Sequence, residues 1–302
     1  MEYMSVKEAS LKWHISDRRI RVLCSERKIF GIIKEGKNYR IPVDALKPVD
    51  GRTLRGKDIP REYKEIFARI DAKKVELQKR RVLTQGELER FREEFLIEFT
   101  YNSNAIEGNT LTLQETALVL EGITIDRKPL KDHLEVVGHK EAFLYVMDMV
   151  SKQVPISEKV IKEIHSLILV DRPHDRGVYR QIPVRIMGST QIPAQPFLVP
   201  IQMEELMMRL NKMHLIERLA RFHMEFERIH PFIDGNGRTG RLLMNLELMQ
   251  QGFPPINVKF TDRKRYYECF ADYHEHNNAS KMIIMLADYM EEELDGYLTI
   301  LR

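Results

Sequence analysis

The sequence predicts a mainly α-helical protein in two parts, a small basic module followed by a larger helical body. Apolar residues recur at the three- and four-residue spacing of amphipathic helices on both sides of each motif described below. The charge divides after Lys57: residues 1–57 hold 14 Lys and Arg against 7 Asp and Glu, whereas the rest of the chain holds 34 against 38. A basic module joined to a mildly acidic body indicates two parts with different partners.

Composition excludes several classes of protein. Of the 302 residues, 43% are apolar and 31% are charged, which is too apolar for a disordered chain. No run of about 18 apolar residues is present, so we expect no membrane span. Residues 1–10 lack the apolar stretch of a signal peptide, and the two cysteines, Cys24 and Cys269, have neither disulfide-framework nor metal-ligand spacing. We therefore expect a cytoplasmic protein without a membrane partner.

Two short helices are expected near the N-terminus. Ser5 and Glu8 match a capping box, in which each side chain bonds the backbone amide of the other, and they open a helix over residues 5–11. Ser16 is expected to cap a second helix over residues 17–26, which carries arginines on its outer face. The pattern predicts a helix-turn-helix.

A basic β-hairpin is expected to follow these helices. Residues 29–33 and 38–41 are β-rich and flank a turn at 35–37. Residues 1–50 thus resemble a winged helix-turn-helix domain of the MerR/excisionase type. The resemblance implies DNA binding through residues 1–57, with the second helix in a major groove and the hairpin against phosphates. A solvated basic face on a small packing domain is the alternative.

Residues 51–94 are expected to form a linker and charged helices. Glycine and proline lie among charges in residues 49–60, which is typical of a linker. Residues 61–94 place apolar side chains at helical spacing among many charges, and this predicts one or two amphipathic surface helices.

The most specific motif is HPFIDGNGRTGR at residues 230–241. Helical patterns over residues 215–228 and 242–250 flank it, so we expect a tight loop that opens a helix. Gly235 and Gly237 let a ligand approach the backbone closely, and the amides of a helix N-terminus bind anions. The motif therefore predicts a phosphate site.

Charged and titratable side chains add chemistry to this site. Arg238 and Arg241 share one helix face and can reach the same polyphosphate. Asp234 would repel an anion, but it suits a Mg²⁺ ion that bridges phosphate oxygens. His230 is a base that titrates near neutral pH beside the predicted anion site.

The motif resembles the signature of the Fic (Fido) family, His-x-Phe-x-(Asp/Glu)-Gly-Asn-Gly-Arg-x-x-Arg, at every specified position. The resemblance implies a helical domain over residues 95–302 that transfers AMP from ATP to a Ser, Thr or Tyr hydroxyl of a target protein and releases pyrophosphate. By position, His230 would be the general base, Asp234 would hold Mg²⁺, Arg241 would meet the γ-phosphate, and Phe232 would anchor the motif in the core. The ATP-binding residues implied are Ile186, Met187, Gly188, Ser189, Asp234, Gly235, Asn236, Gly237, Arg238, Thr239, Gly240, Arg241, Tyr267 and His274.

Two further segments extend the resemblance. Residues 177–189 resemble the family's flap, a β-hairpin that aligns a target chain by strand addition. A helix beginning at Arg263 would border the adenine, although Tyr266 and Tyr267 could equally be core aromatics. His274 stands where some relatives have Asn, which leaves the nucleotide preference open.

An inhibitory helix is implied at about residues 95–108. The run from Ser103 to Gly108 resembles the family's inhibitory pattern, (Ser/Thr)-x-x-x-Glu-(Gly/Asn). Glu107 near Arg241 would form a bidentate ion pair and remove the cationic partner of the γ-phosphate. Ser103, one helical turn before Glu107, can bond it or cap its helix. An ordinary helix end at Gly108 is the alternative.

The favoured hypothesis is an autoinhibited, Mg²⁺-dependent protein adenylyltransferase that uses ATP and acts on an unidentified protein. Two alternatives stay open: a DNA-binding regulator whose helical body only senses ATP, and an enzyme that removes AMP from a modified protein, with Glu107 orienting a water. The sequence also leaves a homodimer open. Six other histidines without metal spacing are expected to be packing residues: His133, His139, His165, His174, His214 and His223.

Overall fold

A computed structural model of the chain describes residues 3–13, 15–25, 29, 31–36, 38–43, 45, 61–186, 191–209 and 213–301. The chain divides into two compact units, Met1–Arg61 and Glu62–Arg302. Helix accounts for 66% of the described residues and strand for 4%, which confirms the predicted mainly α-helical class. No helix within the described ranges is long and apolar enough to cross a bilayer.

The first unit combines two helices with a small sheet. Its elements are β1 (Tyr3–Ser5), α1 (Val6–Trp13), α2 (Asp17–Ser25), β2 (Ile33–Glu35) and β3 (Asn38–Pro42). The antiparallel strands lie in the order β1-β3-β2, and Trp13 is buried among apolar side chains of both helices and the sheet. The predicted capping box is present: the Glu8 amide donates to Oγ of Ser5 (3.2 Å) and the Ser5 amide to the Glu8 carboxylate (2.7 Å).

The hairpin of this unit starts later than the sequence suggested, and the sheet has one more strand. β2 begins at Ile33 rather than at residue 29, because Gly31 takes a left-handed φ of 73° that an extended strand excludes. β1 was not predicted; it pairs with β3, with Met4 opposite Ile41. Three predicted features lie outside the described residues: the helix end at residue 26, the turn residue Lys37 and the linker at 49–60.

The second unit consists of helices joined by loops, and its described residues contain no strand. Its helices are α3 (Arg61–Leu77), α4 (Gln85–Ile106), α5 (Leu113–Leu120), α6 (Leu130–Ser151), α7 (Glu158–Ile168), α8 (Val199–Arg209), α9 (Leu215–Ile229), α10 (Asn236–Gln250), α11 (Arg263–His276) and α12 (Ser280–Ile300). Short 3-10 turns at Pro196–Leu198 and Phe260–Asp262 lead into α8 and α11.

A single long helix, α4, ends in the predicted inhibitory motif. Thr84 and Glu87 form a capping box at its start. The helix runs unbroken through residue 94, so the predicted domain boundary at this residue falls inside a helix. Its first half is mostly exposed and charged, whereas Phe99 and residues 102–106 are buried. Burial of the last turns fixes the end of α4 against the core.

α10 is the central helix of the second unit. It packs against α4, α6, α7 and α9. Eleven of its 15 residues are buried. Phe232, just before α10, is fully buried and stacks on His165 with ring centroids 3.7 Å apart. The first turn of α10 carries the predicted phosphate motif, which is therefore held on several sides by packed helices.

The segment predicted as a flap hairpin contains no strand in its described part, residues 177–186. Arg180 turns inward and is only 4% exposed. Its amide donates to the Pro231 carbonyl (3.0 Å), and its guanidinium donates to the carbonyls of His230 (2.7 Å), Ile229 (3.2 Å) and Ala194. Bonds to the motif loop therefore take the place of strand pairing. The flap residues Met187, Gly188 and Ser189 lie outside the described residues.

Candidate active site

The loop between α9 and α10 is fixed by its own backbone and side chains. α9 ends at Ile229 and α10 begins at Asn236, in agreement with the predicted tight loop that opens a helix. His230 and Gly235 take left-handed conformations, with φ of 50° and 75°, which turn the chain out of one helix and into the next. The Asn236 side chain bonds both the amide and the carbonyl of Phe232 (2.9 and 3.0 Å). The loop thus presents His230 at a defined place.

His165 anchors this loop from α7. The Gly177 amide donates to Nδ1 of His165 (3.0 Å), so Nε2 carries the proton and donates to the carbonyl of Asp234 (3.0 Å). Burial lowers the pKa of His165 to about 4, which keeps the ring neutral at physiological pH. The predicted packing residue is therefore also a support of the site.

The guanidinium of Arg241 is surrounded by hydrogen-bond acceptors from three residues. Its Nε donates to Oγ of Ser103 (3.0 Å), its Nη1 to the Tyr266 hydroxyl (3.1 Å), and its Nη2 to the Ser103 carbonyl (2.8 Å) and to Oε1 of Glu107 (2.8 Å). Burial disfavours the charged form, but Tyr266 and Glu107 raise the pKa of Arg241. The guanidinium therefore remains a cation inside the core.

The contact between Glu107 and Arg241 differs in detail from the predicted one. The ion pair uses one carboxylate oxygen rather than two, because Ser103 and Tyr266 take the other donors of the guanidinium. The Ser103 hydroxyl accepts from Arg241, where the sequence suggested a bond to Glu107 or a helix cap. Ser103 and Glu107 thus contact the same arginine.

The Glu107 carboxylate lies against the first turn of α10. α4 ends at Ile106, and Gly108 leaves the helix with a φ of 98°. A Cβ built on Gly237 would overlap Oε1 of Glu107 and would lie 3.0 Å from Nη1 of Arg241. The amides of a first helical turn are its positive end, where anions bind. A carboxylate of the same chain therefore lies where the sequence predicted phosphate.

Arg238 is buried among polar groups from three elements. Its Nη1 lies 3.2 Å from Oε1 of Glu135 and 3.4 Å from Oδ1 of Asn104, and its Nη2 lies 3.5 Å from Oδ1 of Asp234. Glu135 in turn accepts from the Asn109 side chain (2.9 Å). Within the described residues, Nε of Arg238 has no hydrogen-bond partner. Arg238 therefore keeps donor capacity for an added anion.

Asp234 is a half-exposed carboxylate at the mouth of the site. Its Oδ1 accepts from the Gly235 amide (2.6 Å), and Lys131 and Arg172 lie 3.9 and 3.6 Å from its Oδ2. Burial alone would raise the pKa of Asp234, but Arg238, the Gly235 amide and the two exposed cations together lower it. The carboxylate is therefore ionised at neutral pH.

Tyr266 connects Arg241 to a buried histidine. Its hydroxyl contacts Nη1 of Arg241 (3.1 Å) and Nε2 of His223 (2.5 Å). Burial raises the pKa of Tyr266, and it lowers the pKa of His223 to about 3, so both side chains are neutral. Tyr266 is thus a buried aromatic whose hydroxyl also supports Arg241.

Tyr267, the other aromatic of this pair, borders the site. Its hydroxyl donates to the carbonyl of Ile106 (3.1 Å), next to Glu107, and the side chain is 42% exposed. His274 lies two turns further along α11 and is half-buried, and burial lowers its pKa. Ile186 is half-buried at the end of its described segment.

Two residues implied to bind ATP, Thr239 and Gly240, contact the core. Thr239 is fully buried, and its hydroxyl donates to the Gly235 carbonyl (2.8 Å). A Cβ on Gly240 would lie 2.5 Å from Nδ1 of His223. Their position on the inner face of α10, rather than on the face towards Glu107, gives these residues a packing role.

Sequence reasoning missed Glu135 and the roles of Arg180 and His165. Each reaches the loop from a distant point in the chain, so local spacing carries no signal for it. Only the role of Arg180 could have been suspected from the sequence, because Arg180 lies in the predicted flap segment, next to Tyr179, which is buried.

Comparison with known proteins identifies the domain. A profile of the Fic/DOC family matches residues 155–248, from the residues before α7 to near the end of α10. This segment matches the Fic/DOC family. The chain is 36% identical over 266 residues to the protein adenylyltransferase Fic of Nematostella vectensis, an alignment that covers 83% of this chain and 61% of that protein. The chain thus spans less than two thirds of this relative's length.

Solved Fic structures share the fold. The Fic domain containing signaling protein from Bacteroides thetaiotaomicron has a TM-score of 0.69 at 28% identity, over 77% of this chain and 96% of that chain. Fic-1 from C. elegans has a TM-score of 0.70 at 28% identity, over 78% and 72% of the two chains. The helical arrangement around the motif is therefore similar to that of these Fic structures.

Proposed function

We propose that this Fic-domain chain is an autoinhibited protein adenylyltransferase, which transfers AMP from ATP to a Ser, Thr or Tyr hydroxyl of a target protein. The observation that carries the proposal is the loop itself, where His230 lies six residues before the start of a helix that carries two buried arginines, Arg238 and Arg241. The relative from Nematostella vectensis bears the name of this activity. Binding of ATP alone would need neither a base at His230 nor an ionised carboxylate at Asp234.

In the proposed reaction, the target hydroxyl oxygen attacks the α-phosphorus of ATP. A bond forms between that oxygen and the phosphorus, and the bond to the oxygen that bridges the β-phosphate breaks, so pyrophosphate leaves with the electron pair. His230 takes the hydroxyl proton, a step that typically contributes about 10²–10⁴-fold. The first-turn amides of α10 and Arg238 hold the α- and β-phosphates, and Arg241 holds the γ-phosphate.

Mg²⁺ is the proposed cofactor, and the donor set fits it. Mg²⁺ commonly binds through one or two carboxylates while substrate phosphates and water complete its shell. Asp234 is ionised and half-exposed beside the anion site, and no cluster of three or more His, Cys, Asp or Glu suited to a metal occurs in the described parts of the chain. When bound there, the ion would neutralise charge on the phosphates.

The proposed autoinhibition rests on the contacts of Glu107. Its carboxylate takes Nη2 of Arg241 and lies against Gly237, so a γ-phosphate would meet a negative charge and lose its cationic partner. ATP then binds without its α-phosphorus in line with the attacking oxygen. A misplacement of about 1 Å can cost on the order of 10²-fold in rate, so a small displacement suffices.

Labelled ATP distinguishes the proposed reaction from its alternatives. Glu107→Gly protein is incubated with Mg²⁺, a cell lysate and ATP that carries the label on either the α- or the γ-phosphate. Adenylyl transfer predicts protein-bound label from α-labelled ATP alone. Label from γ-labelled ATP would indicate phosphoryl transfer, and the absence of both would favour an ATP sensor or removal of AMP.

Removal of AMP is tested with the product of that experiment. Wild-type protein, in which Glu107 can orient a water, is added to the modified target without ATP. Release of AMP by the wild type and not by Glu107→Gly would assign removal to the unaltered chain. Retention of the label by both proteins would leave adenylyl transfer as the activity of this site.

We propose DNA binding as a second function, carried by the first unit. Residues 1–57 hold the excess of cations, and Arg18 and Arg21 of α2 line an open surface cavity of about 480 Å³ with Tyr39 of β3. Lys and Arg side chains that bind DNA phosphates release condensed counterions, so the affinity for DNA should fall steeply as the salt concentration rises. An electrophoretic shift with the full chain and its own upstream DNA tests this. The double variant Arg18→Ala, Arg21→Ala should bind this DNA more weakly. If the full chain gives no shift even at low salt, the first unit would instead be assigned to protein–protein interaction.

A further inference from the structure

A carboxylate outside the motif faces the ring of His230. Glu227 lies one helical turn earlier on α9, and its Oε2 is 3.5 Å from Nδ1 of His230. Both side chains are largely buried, with 14% of Glu227 and 16% of His230 exposed. Within the described residues, neither Nδ1 of His230 nor Oε1 of Glu227 has a hydrogen-bond partner. The imidazole nitrogen and the carboxylate are thus within reach of each other, and Nδ1 has no competing partner there.

The position of Glu227 does not serve stability. A buried carboxylate without a cation loses hydration that nothing replaces, which costs free energy of folding. Among the described residues no Lys or Arg forms an ion pair with Glu227, in contrast to Glu225 on the same helix, which pairs with Arg228 at 2.6 Å. Locally unfavourable residues of this kind concentrate at functional sites.

The carboxylate selects one tautomer of His230. If the proton is on Nδ1, an N–H points towards the negative oxygen; if it is on Nε2, a lone pair of Nδ1 faces that oxygen instead. The first arrangement is attractive and the second is repulsive, so Glu227 favours the proton on Nδ1. The partner of one ring nitrogen commonly fixes the protonation of the other in this way.

We propose that Glu227 is a positioning residue for His230, which keeps the proton on Nδ1 and leaves the Nε2 lone pair to accept the proton of the target hydroxyl. The inference rests on the proposed adenylyl transfer, in which His230 is the base. Arg180 already holds the His230 backbone through its carbonyl (2.7 Å), so the orientation of the ring is the remaining freedom, and Glu227 restricts it.

The observed separation suits this role. A distance of 3.5 Å is longer than the usual 2.9 Å or so of an N–H···O bond. Contacts of catalytic groups in ligand-free enzymes are often long and shorten when substrate binds. As the hydroxyl proton moves to Nε2, His230 becomes a cation, and the attraction to Glu227 strengthens in the transition state. A carboxylate that orients a catalytic base in this way supports rate more than binding.

The first test reads the tautomer directly and needs no activity. Nitrogen NMR of the ligand-free full chain with labelled histidine resolves Nδ1–H from Nε2–H, and the signals of His230 are those lost in His230→Ala. The proposal predicts the Nδ1–H form in wild type and a shift towards Nε2–H in Glu227→Gln, whose neutral amide tolerates both forms. An unchanged tautomer in Glu227→Gln would overturn the proposal, whatever the enzyme does.

The second test separates rate from binding. On the Glu107→Gly background, Glu227→Gln and Glu227→Ala should lower kcat for AMP transfer at least roughly tenfold with KM for ATP unchanged; loss of the orienting carboxylate in a catalytic triad costs up to about 10⁴-fold. Glu227→Asp, which keeps the charge, should recover part of that loss. Glu217→Gln is the matched control, because Glu217 lies on α9 and pairs with Arg221 (2.8 Å), and it should retain full kcat.

The outcomes of these tests are separable. A kcat that is unaffected in Glu227→Gln and Glu227→Ala would overturn the positioning role while adenylyl transfer stands. If even Glu107→Gly transfers no AMP, adenylyl transfer itself fails, and the tautomer shift still decides whether Glu227 orients His230. Glu227→Gln is isosteric and removes an unpaired buried charge, so it should fold with at least wild-type thermal stability.

Discussion

The carboxylate of Glu107 occupies the space that a β-carbon on Gly237 would need at the N-terminus of α10. A Cβ at position 237 would overlap Oε1 of Glu107, so only glycine lets that oxygen approach the first-turn amides. A phosphate oxygen that replaced the carboxylate would need the same gap. Gly237 therefore suits both the observed contact with Glu107 and the proposed binding of a phosphate.

This shared space predicts the effect of Gly237→Ala. The methyl group must displace Glu107, yet it also fills the place of a phosphate, so the variant should not be activated. On the Glu107→Gly background, overpacking of about 1–3 kcal/mol should weaken ATP binding roughly 5- to 150-fold. Calorimetric titration with ATP measures the loss. The control is Gly86→Ala, where a Cβ would have no atom within 4 Å, and ATP binding should be unchanged. Full affinity in the Gly237→Ala variant would argue against a phosphate at this turn.

His230 supplies the base in the proposed reaction, and His230→Ala should therefore separate chemistry from binding. We expect loss of AMP transfer by roughly 10²–10⁴-fold on the Glu107→Gly background, with ATP affinity close to that of the parent. Incorporation of α-label and calorimetric titration with ATP measure the two effects. Incorporation near the parent rate would exclude His230 as the base.

Acid should destabilise the second unit through His223. Burial and the nearby Arg241 lower the pKa of His223 to about 3, from an ordinary value of 6.5. Between these values the unfolded chain binds a proton that the folded protein excludes, so the free energy of unfolding falls as the pH drops below about 6.5. One such histidine adds a slope of up to about 1.4 kcal/mol per pH unit.

His223→Gln tests this pH dependence, because glutamine keeps a polar group near Tyr266 and cannot titrate. Urea unfolding, followed by the helical circular dichroism signal between pH 6 and pH 4, should show a shallower pH slope in the variant than in wild type. The control is His174→Gln at an exposed position, which should keep the wild-type slope. Equal slopes in wild type and His223→Gln would show that His223 takes up its proton in the folded state.

Local features of this fold were predictable from the sequence. The Ser5–Glu8 capping box and the boundaries of α9 follow from residue type and spacing within one or two helical turns, whereas the start of α11 at Arg263 was implied by the family resemblance. The motif loop was predictable for the same reason, since its glycines and flanking helical patterns lie in one continuous stretch of chain.

Features that depend on distant residues were not predictable. β1 forms only because β3 offers a free edge, and Arg180 was assigned to a strand although it turns inward to the carbonyls of His230 and Ala194. The Glu107–Arg241 pair was anticipated, but its single-oxygen geometry depends on Ser103 and Tyr266, whose side chains take the other donors. Such competition for hydrogen bonds is set by packing and leaves no local pattern.

Autoinhibition by Glu107 is tested most directly by the rate of α-label incorporation at saturating Mg²⁺ and equal ATP in three proteins: wild type, Glu107→Gly, and Glu107→Gly with Arg241→Ala. If Glu107 sequesters Arg241, Glu107→Gly should be faster than wild type on the order of 10²-fold, since the γ-phosphate gains its partner and the α-phosphorus aligns. Arg241→Ala should cancel most of that gain, with circular dichroism to verify that the double variant is folded. A Glu107→Gly protein no faster than wild type would contradict autoinhibition by this contact.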